Sequence, residues 1–355
     1  SGDMTLENGL LSVSGSGNVL LQTLSAGKDI SSGADIELES GNISMLAGTD
    51  LIFKNSGGIS SQGAGSIDLL AAKGSVEVGN GSELDAGGGD MRIFAGKNVS
   101  LGGSAETKSN MFIKADSGWI RDGDSNQGLD IIADSVRLDA AVGIGRLGSS
   151  ANAIETGVNT VSAKAGSQGI NLRESDDINV DQTQATRINR VGSGSLVSLV
   201  VDSGQRDVFT LEGSEGSIVL LTSNSQMTLN NSIADDGTGN ILLKSDSGIA
   251  VNADIKSDKG HISLLAEESI FQKADIETDG SIDLESESAS IVMFNGFNSV
   301  TEDGGVRYEA QKNLRLSRIE AKYTVSMLSN SGSILDVGKN DTDVQARALQ
   351  VIAGH

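Results

Sequence analysis

The stretch that decides the fold runs from Gly41 to Ile52 and reads Gly-Asn-Ile-Ser-Met-Leu-Ala-Gly-Thr-Asp-Leu-Ile. A glycine and a polar residue open it, apolar residues follow at alternate positions, and a polar corner precedes the next apolar pair. The same formula begins at Gly17, Gly65 and Gly89, so the leading glycines stand 24 residues apart. We expect glycine at these corners because its backbone can adopt the positive φ that tight turns require.

The formula returns in the second half of the chain, at Gly216, Gly239, Gly260 and Gly280, with spacings of 23, 21 and 20 residues. Period-two alternation in short segments is typical of half-buried strands, whereas a helical period does not develop over any window of about 11 residues or more. A repeat of this size predicts that each unit is one turn of a solenoid.

We therefore predict an all-β fold, a right-handed parallel β-helix of about 16 turns with roughly 20–24 residues each. It is expected to run as one continuous segment over residues 1–355. Each strand would lie about 4.8 Å from its counterpart in the next turn, so that like residues stack into ladders. The predicted ladders are Ile43 with Ile67 and Met91, Met45 with Leu69 and Ile93, Ile241 with Ile262 and Ile282, and Leu243 with Leu264 and Leu284.

A longer period lies on top of the short one, because residues 89–133 match residues 304–353 at an offset of 214–220 positions. Arg92 corresponds to Arg307 in this alignment, and Asp130 corresponds to Gln350. The nested repeat predicts that the chain is a segment of a longer polypeptide. Residues 139–215 depart from the regular spacing, and we interpret them as irregular turns with longer corners.

The composition restricts the function. The chain has 26 Lys plus Arg against 48 Asp plus Glu, for a formal charge of -22, and this balance disfavours nucleic acid and anionic membranes as partners. There is no Cys and there are two His, so thiolate chemistry and His-based metal sites are not expected. Apolar runs such as residues 196–201 are far shorter than the roughly 18 residues of a membrane-spanning helix.

One segment has the alternating oxygen ligands of a calcium loop. Its candidate ligands are Asp122, Asp124, Asn126 and Asp130. The glycine of this segment falls one position late, and Ala133 stands where a calcium loop carries its last carboxylate. The pattern therefore leaves two interpretations, a degenerate calcium site or a solvated turn, and no other cofactor is predicted.

Adjacent carboxylates occur at residues 176–177, 235–236 and 267–268, and paired acids are the groups that glycosidases use. Neighbouring residues of a strand point to opposite faces, so at least one acid of each pair is expected to face away from any shared site. We predict no enzymatic activity. A polysaccharide-degrading β-helix enzyme remains the third functional alternative.

The formula of residues 41–52, together with the irregular residues 141–145, 152–156 and 169–178, resembles the repeats of filamentous haemagglutinin-like exoproteins. These are large surface adhesins of Gram-negative bacteria. The resemblance covers nearly all of the chain and implies secretion across the outer membrane and a right-handed β-helical shaft. It also implies a role in adhesion, biofilm or a cell-surface filament, and it brings no catalytic residues.

The leading functional hypothesis is a non-catalytic rod or filament segment at the bacterial cell surface, acting as a shaft or spacer. Its expected partners are further copies of the same repeat array, end to end or within a longer chain. The alternative is an adhesin surface that binds glycans or proteins of a host or neighbouring cell. Neither hypothesis involves insertion into a membrane.

Overall fold

The computed structural model describes residues 2–54, 56–124, 127–148, 152–338 and 342–354. These residues form a β-solenoid of parallel stacked strands with about 15 turns, which confirms the predicted all-β solenoid. Ser193–Ser195 form a short 3₁₀ turn. The chain divides into two compact units, unit 1 with Ser1–Ala165 and Gln182–Gln205, and unit 2 with Gly166–Asp181 and Arg206–His355.

Unit 1 contains short strands that recur three to a turn, followed by an antiparallel pair. They are β1 Met4–Leu6, β2 Leu10–Val13, β3 Val19–Gln22, β4 Ile30–Ser32, β5 Asp35–Leu38, β6 Ile43–Ala47, β7 Leu51–Phe53, β8 Ile59–Ser61, β9 Ile67–Ala71, β10 Val76–Val78, β11 Glu83–Asp85, β12 Met91–Ala95, β13 Val99–Leu101, β14 Ser104–Glu106, β15 Asn110–Ala115, β16 Trp119–Asp122, β17 Ile131–Ala140, β18 Gly143–Ile144, β19 Ile154–Ala165, β22 Thr186–Val191 and β23 Val197–Asp202.

Unit 2 repeats the same three-strand turn. Its strands are β20 Ile170–Glu174, β21 Ile178–Val180, β24 Val208–Thr210, β25 Ile218–Thr222, β26 Met227–Leu229, β27 Ile233–Asp235, β28 Ile241–Ser245, β29 Ile249–Val251, β30 Ile255–Ser257, β31 Ile262–Ala266, β32 Ile270–Gln272, β33 Ile276–Thr278, β34 Ile282–Ser286, β35 Ile291–Met293, β36 Asn298–Thr301, β37 Val306–Ala310, β38 Leu314–Leu316, β39 Arg318–Ala321, β40 Thr324–Ser329, β41 Ile334–Asp336, β42 Val344–Gln345 and β43 Ala348–Ala353.

In most turns of each unit one strand is longer than the other two, and we call the column that contains these strands the long-strand face. It comprises β3, β6, β9, β12 and β15 in unit 1 and β25, β28, β31, β34, β37 and β40 in unit 2. The registers place Ile43 on Ile67 and Ile67 on Met91, as predicted. The four predicted ladders are all confirmed and lie in the core.

The leading glycines serve a different purpose from the one expected. They are not among the positive-φ residues. A Cβ on Gly41 would lie 1.6 Å from the carbonyl oxygen of Gly17, and one on Gly65 would lie 1.9 Å from that of Gly41. The expectation of a turn conformation was therefore wrong at these positions, because glycine is required there by the close stacking of one turn on the next.

Polar side chains form a second kind of ladder just before the long strands. The Asn42 Oδ1 accepts a hydrogen bond of 2.9 Å from the backbone N–H of Ser66 in the next turn. In unit 2 the Asn240 Oδ1 accepts from the N–H of His261 at 2.7 Å, and the His261 Nδ1 accepts from the N–H of Ser281 at 3.0 Å. Side chains at the corners thus accept hydrogen bonds from backbone N–H groups of the following turn.

Residues 139–215 contain one feature that the repeat pattern did not predict. β22 and β23 pair with each other in antiparallel register and form a separate two-stranded sheet. The loop between them contains Gly194 and Ser195 at positive φ, which allows the chain to reverse. The expectation of irregular turns alone was therefore incomplete, because this part of the chain leaves the solenoid and forms a hairpin.

Candidate interaction surface

The hairpin of β22 and β23 lies on the long-strand face of unit 1. Its backbone N–H groups at three alternate residues donate to solenoid side chains. Arg187 donates to the Asp90 Oδ2 at 2.6 Å, Asn189 to the Ser66 Oγ at 2.8 Å, and Val191 to the Ser44 Oγ at 2.9 Å. The three acceptors belong to successive turns, so β22 runs across the turns. Their side chains accept the hydrogen bonds of the backbone N–H groups on its inner edge.

An ionic cluster fixes the hairpin on this face. The Arg92 guanidinium and the Arg190 guanidinium both donate to the Asp68 carboxylate, at 2.9 Å and 2.5 Å. Asp202 of β23 lies 3.6 Å from Arg92. The side chain of Asp68 is 0% exposed and that of Arg92 is 8% exposed. Buried charges of this kind are tolerated only when they are paired and hydrogen-bonded, and here the hairpin supplies Arg190 as the second partner of Asp68.

The hairpin changes the burial of the face beneath it. In a solenoid strand every second residue points outward, and the second residue of β31 and that of β34 are accordingly half-buried. In β6, β9 and β12 the second residues are Ser44, Asp68 and Arg92, and all three are buried. Ile188 of β22 is fully buried as well. The hairpin therefore makes a second, polar layer outside the aliphatic core.

The outer strand of the hairpin is apolar and exposed. Leu199 is 59% exposed, Val197 and Val201 are also exposed, and Leu196, which directly precedes the strand, is 74% exposed. β22 and β23 form a sheet of two strands, so none of the strands in the described residues pairs with the outer edge of β23. An exposed, apolar strand edge is a template for pairing with another strand.

The predicted calcium ligands fall partly outside the described residues, because Asn126 is not among them. The other three lie at the end of β16 and in the corner before β17. The Asp122 Oδ1 accepts from the N–H of Asp124 at 2.8 Å, as in a turn, and the Asp130 Oδ2 accepts from the N–H of Glu155 at 3.1 Å. Burial raises the pKa of Asp130 to about 9, and the neighbouring carboxylates of Asp122 and Glu155 add to the rise.

In the described ranges no group of three or more His, Asp or Glu side chains is placed to hold a metal ion. The calcium site therefore stays a prediction.

The adjacent acids differ in burial. Asp235 is buried and its carboxylate accepts a hydrogen bond from the Thr210 hydroxyl, whereas Asp236 is exposed. Glu267 and Glu268 are both exposed at a corner. The predicted lack of enzymatic activity also stays a prediction.

The sequence contains a pattern typical of a hairpin, which the spacing of the solenoid repeats does not reveal. Two segments in which apolar and polar residues alternate flank a short loop that contains Gly192 and Gly194. Two such segments joined by a short glycine-containing loop are typical of a β-hairpin. The solenoid acceptors carried no local signal, because Ser44, Ser66 and Asp68 are ordinary outward residues until the hairpin covers them.

No helix in the part of the chain that the structure describes has the length and apolar character needed to cross a membrane. Comparisons of the chain with protein-family models, with curated proteins and with solved structures gave no match.

Proposed function

We propose that this chain is a non-catalytic structural segment of a secreted or cell-surface bacterial protein, acting as a shaft or spacer. The observation that carries the proposal is the stacking of like residues turn after turn in each unit, as in the ladder from Ile218 through Ile241, Ile262 and Ile282. A solenoid turn contacts only its neighbours, so such a protein gains length without needing a larger core. Length is the property that a spacer needs.

Stacking of further turns is part of this proposal. In β43, Leu349 and Val351 continue the buried ladders of Val325 and Met327, yet they are 56% and 50% exposed. Exposed strand edges with apolar side chains favour addition of another strand of the same kind. The partner we propose is a further turn of the same repeat type, in the same polypeptide or in a second copy.

The proposed location rests on the resemblance of residues 41–52 to the repeats of filamentous haemagglutinin-like exoproteins. Those proteins are surface adhesins of Gram-negative bacteria, and a β-solenoid is the architecture that the resemblance implies. The acidic composition, with a formal charge of -22, is compatible with a soluble surface segment that does not adhere to nucleic acid.

Electron microscopy of the purified chain tests the structural role, and we expect elongated particles that associate end to end as concentration rises. Light scattering on the Leu349→Lys, Val351→Lys double variant should then detect monomers. Phe271→Lys is the matched control, because Phe271 is a partly exposed apolar residue on the side of β32. Compact particles with no association at any concentration would contradict the proposal.

A second candidate function is supported by the exposed edge of β23. An extended segment of a host or neighbouring-cell protein could add to this edge, with its backbone paired to β23 and its side chains against Leu199 and Val201. This would make the hairpin the adhesive element of the chain and the solenoid its support.

A cell-adhesion assay with the immobilised chain tests this second function. The Leu199→Lys, Val201→Lys double variant places charges on the edge and should abolish adhesion, while Phe271→Lys should leave it unchanged. Equal adhesion by all three proteins would exclude the edge of β23 as the binding surface.

A further inference from the structure

The residues that hold the hairpin on unit 1 occur a second time. The offset of 215 positions that relates Arg92 to Arg307 also relates Asp68 to Asp283 and Ser66 to Ser281. Ser44, in the strand preceding that of Asp68, corresponds in register to Ser263, in the strand preceding that of Asp283. Four of the five solenoid residues in the hairpin contact are thus identical in unit 2, and the fifth, Asp90, is replaced by Gly305.

The second set lies on the long-strand face of unit 2 in the same arrangement. Asp283 pairs with Ser263 on one side and with Arg307 on the other, as Asp68 pairs with Ser44 and Arg92. The Arg307 guanidinium donates to the Asp283 carboxylate at 2.7 Å. The side chains of Asp283 and Arg307 are 38% and 39% exposed, whereas the corresponding pair in unit 1 is covered.

The charge of this second face favours an arginine. Arg307 also binds Glu285 and Glu309, so three carboxylates share one guanidinium and the cluster has a net charge of -2. In unit 1 the Asp68 carboxylate receives a second guanidinium from Arg190. Residues 182–205 contain two Arg and one Asp, for a net charge of +1, which is complementary to the acidic face.

We propose that the long-strand face of unit 2 at Ser263, Asp283 and Arg307 is a docking surface for a second β-hairpin of the Thr186–Asp202 type. The arginine of that hairpin binds Asp283 as Arg190 binds Asp68. The backbone N–H groups of its inner strand donate to the hydroxyls of Ser281 and Ser263. The contact made by Asp90 is absent at Gly305, so the second hairpin is held by one hydrogen bond fewer than the first.

The full chain extended at its C-terminus by a Gly/Ser linker and a second copy of residues 182–205 tests the proposal. β43 lies four strand spacings from β31, or about 19 Å, and a flexible linker of about 20 residues has a root-mean-square length of about 25 Å. The tethered hairpin then has an effective concentration in the millimolar range. The added copy carries Arg187→Lys at an exposed side chain, so that its peptides differ in mass from those of the original hairpin.

Hydrogen exchange measured by mass spectrometry should be slowed at least tenfold in the added copy relative to the same copy carrying Arg190→Ala. Asp283→Asn in the solenoid should remove this protection, while Arg307 keeps its bonds to Glu285 and Glu309. Equal exchange in the added copy with and without Arg190 would overturn the proposal. Concentration-dependent protection of this face in the unextended chain that persists with Arg190→Ala would assign the face to another surface of a second copy and would overturn the proposal as well.

Discussion

Two aspartate–arginine pairs at equivalent positions of the solenoid have different environments. Asp68 and Arg92 in unit 1 are buried beneath the hairpin, and Asp283 and Arg307 in unit 2 are about two-fifths exposed. The residues and the strand register are the same in both places. The difference arises from β22, whose residue Arg190 is 122 positions away from Asp68 in the sequence. A long-range contact thus converts an ordinary surface ion pair into a buried charge cluster.

The difference has an energetic consequence. An exposed ion pair contributes about 0–1 kcal/mol to stability, whereas removing one partner from a buried pair costs about 3–5 kcal/mol. The same two residue types therefore have different importance in the two units.

The largest effect is expected inside the ladders, where the two units are alike. Ile67→Asp in unit 1 and Ile262→Asp in unit 2 each place an unpaired carboxylate in an apolar stack, and each should lower the free energy of unfolding by about 4 kcal/mol or more. Urea denaturation followed by circular dichroism measures the loss. Ile67→Val and Ile262→Val are the controls, at about 0.5–1.5 kcal/mol each. An unchanged melting temperature in either Asp variant would contradict the assigned ladder.

The next effect distinguishes the units. Asp68→Ala leaves Arg92 and Arg190 without their shared carboxylate and should cost about 3–5 kcal/mol. Asp283→Ala leaves Arg307 with two glutamates and solvent, and should cost about 1 kcal/mol or less. Denaturation of both variants under the same conditions makes the comparison. Equal losses would show that the hairpin does not bury the first pair in solution.

A smaller effect isolates the hairpin. Arg190→Ala removes a charged hydrogen bond to Asp68, and such bonds contribute about 1.5–3 kcal/mol. Hydrogen exchange of β22 and β23 should accelerate by roughly tenfold to a hundredfold, since a tenfold change corresponds to about 1.4 kcal/mol. Arg187→Ala is the control, because Arg187 contacts Asp90 through its backbone N–H and its side chain is exposed. Similar acceleration in both variants would mean that Arg190 does not anchor the hairpin.

A pH-dependent difference concerns Asp130, whose counterpart in the second copy of the long repeat is the neutral Gln350. Burial raises the pKa of Asp130 from 3.8 to about 9, so folding favours its protonated form. The stability that this protonation contributes is complete below about pH 4 and is lost as the pH rises toward 9. Asp130→Asn stays neutral, and its stability relative to the native chain should therefore increase steadily between pH 5 and pH 8. A difference that does not vary with pH would contradict this account.

The ladders could be predicted from the sequence because they depend on local periods. Glycines 24 residues apart and apolar residues at alternate positions are sufficient to align Ile43, Ile67 and Met91. The role of the leading glycines could not be read in the same way. Their crowding depends on the distance between turns, which becomes visible only when two turns are stacked.

The hairpin was less accessible to sequence reasoning, since the alternation in residues 186–191 suits a solenoid strand and a hairpin strand equally well. Which one forms depends on partners far away in the chain, namely Ser44, Ser66 and Asp68. The docking of the hairpin could therefore not be predicted from the sequence, because no local pattern links these residues to β22.

The amino-acid sequence by itself determined the strand class, the length of the turn and the identity of the stacked core residues, because side-chain alternation and repeat length act between near neighbours. Tertiary structure alone decided that residues 186–202 leave the solenoid, that Asp68 is buried while Asp283 is half-exposed, and that β23 presents an apolar edge. These features arise from contacts across more than a hundred residues, and the free energy of such contacts depends on burial, which no local pattern encodes.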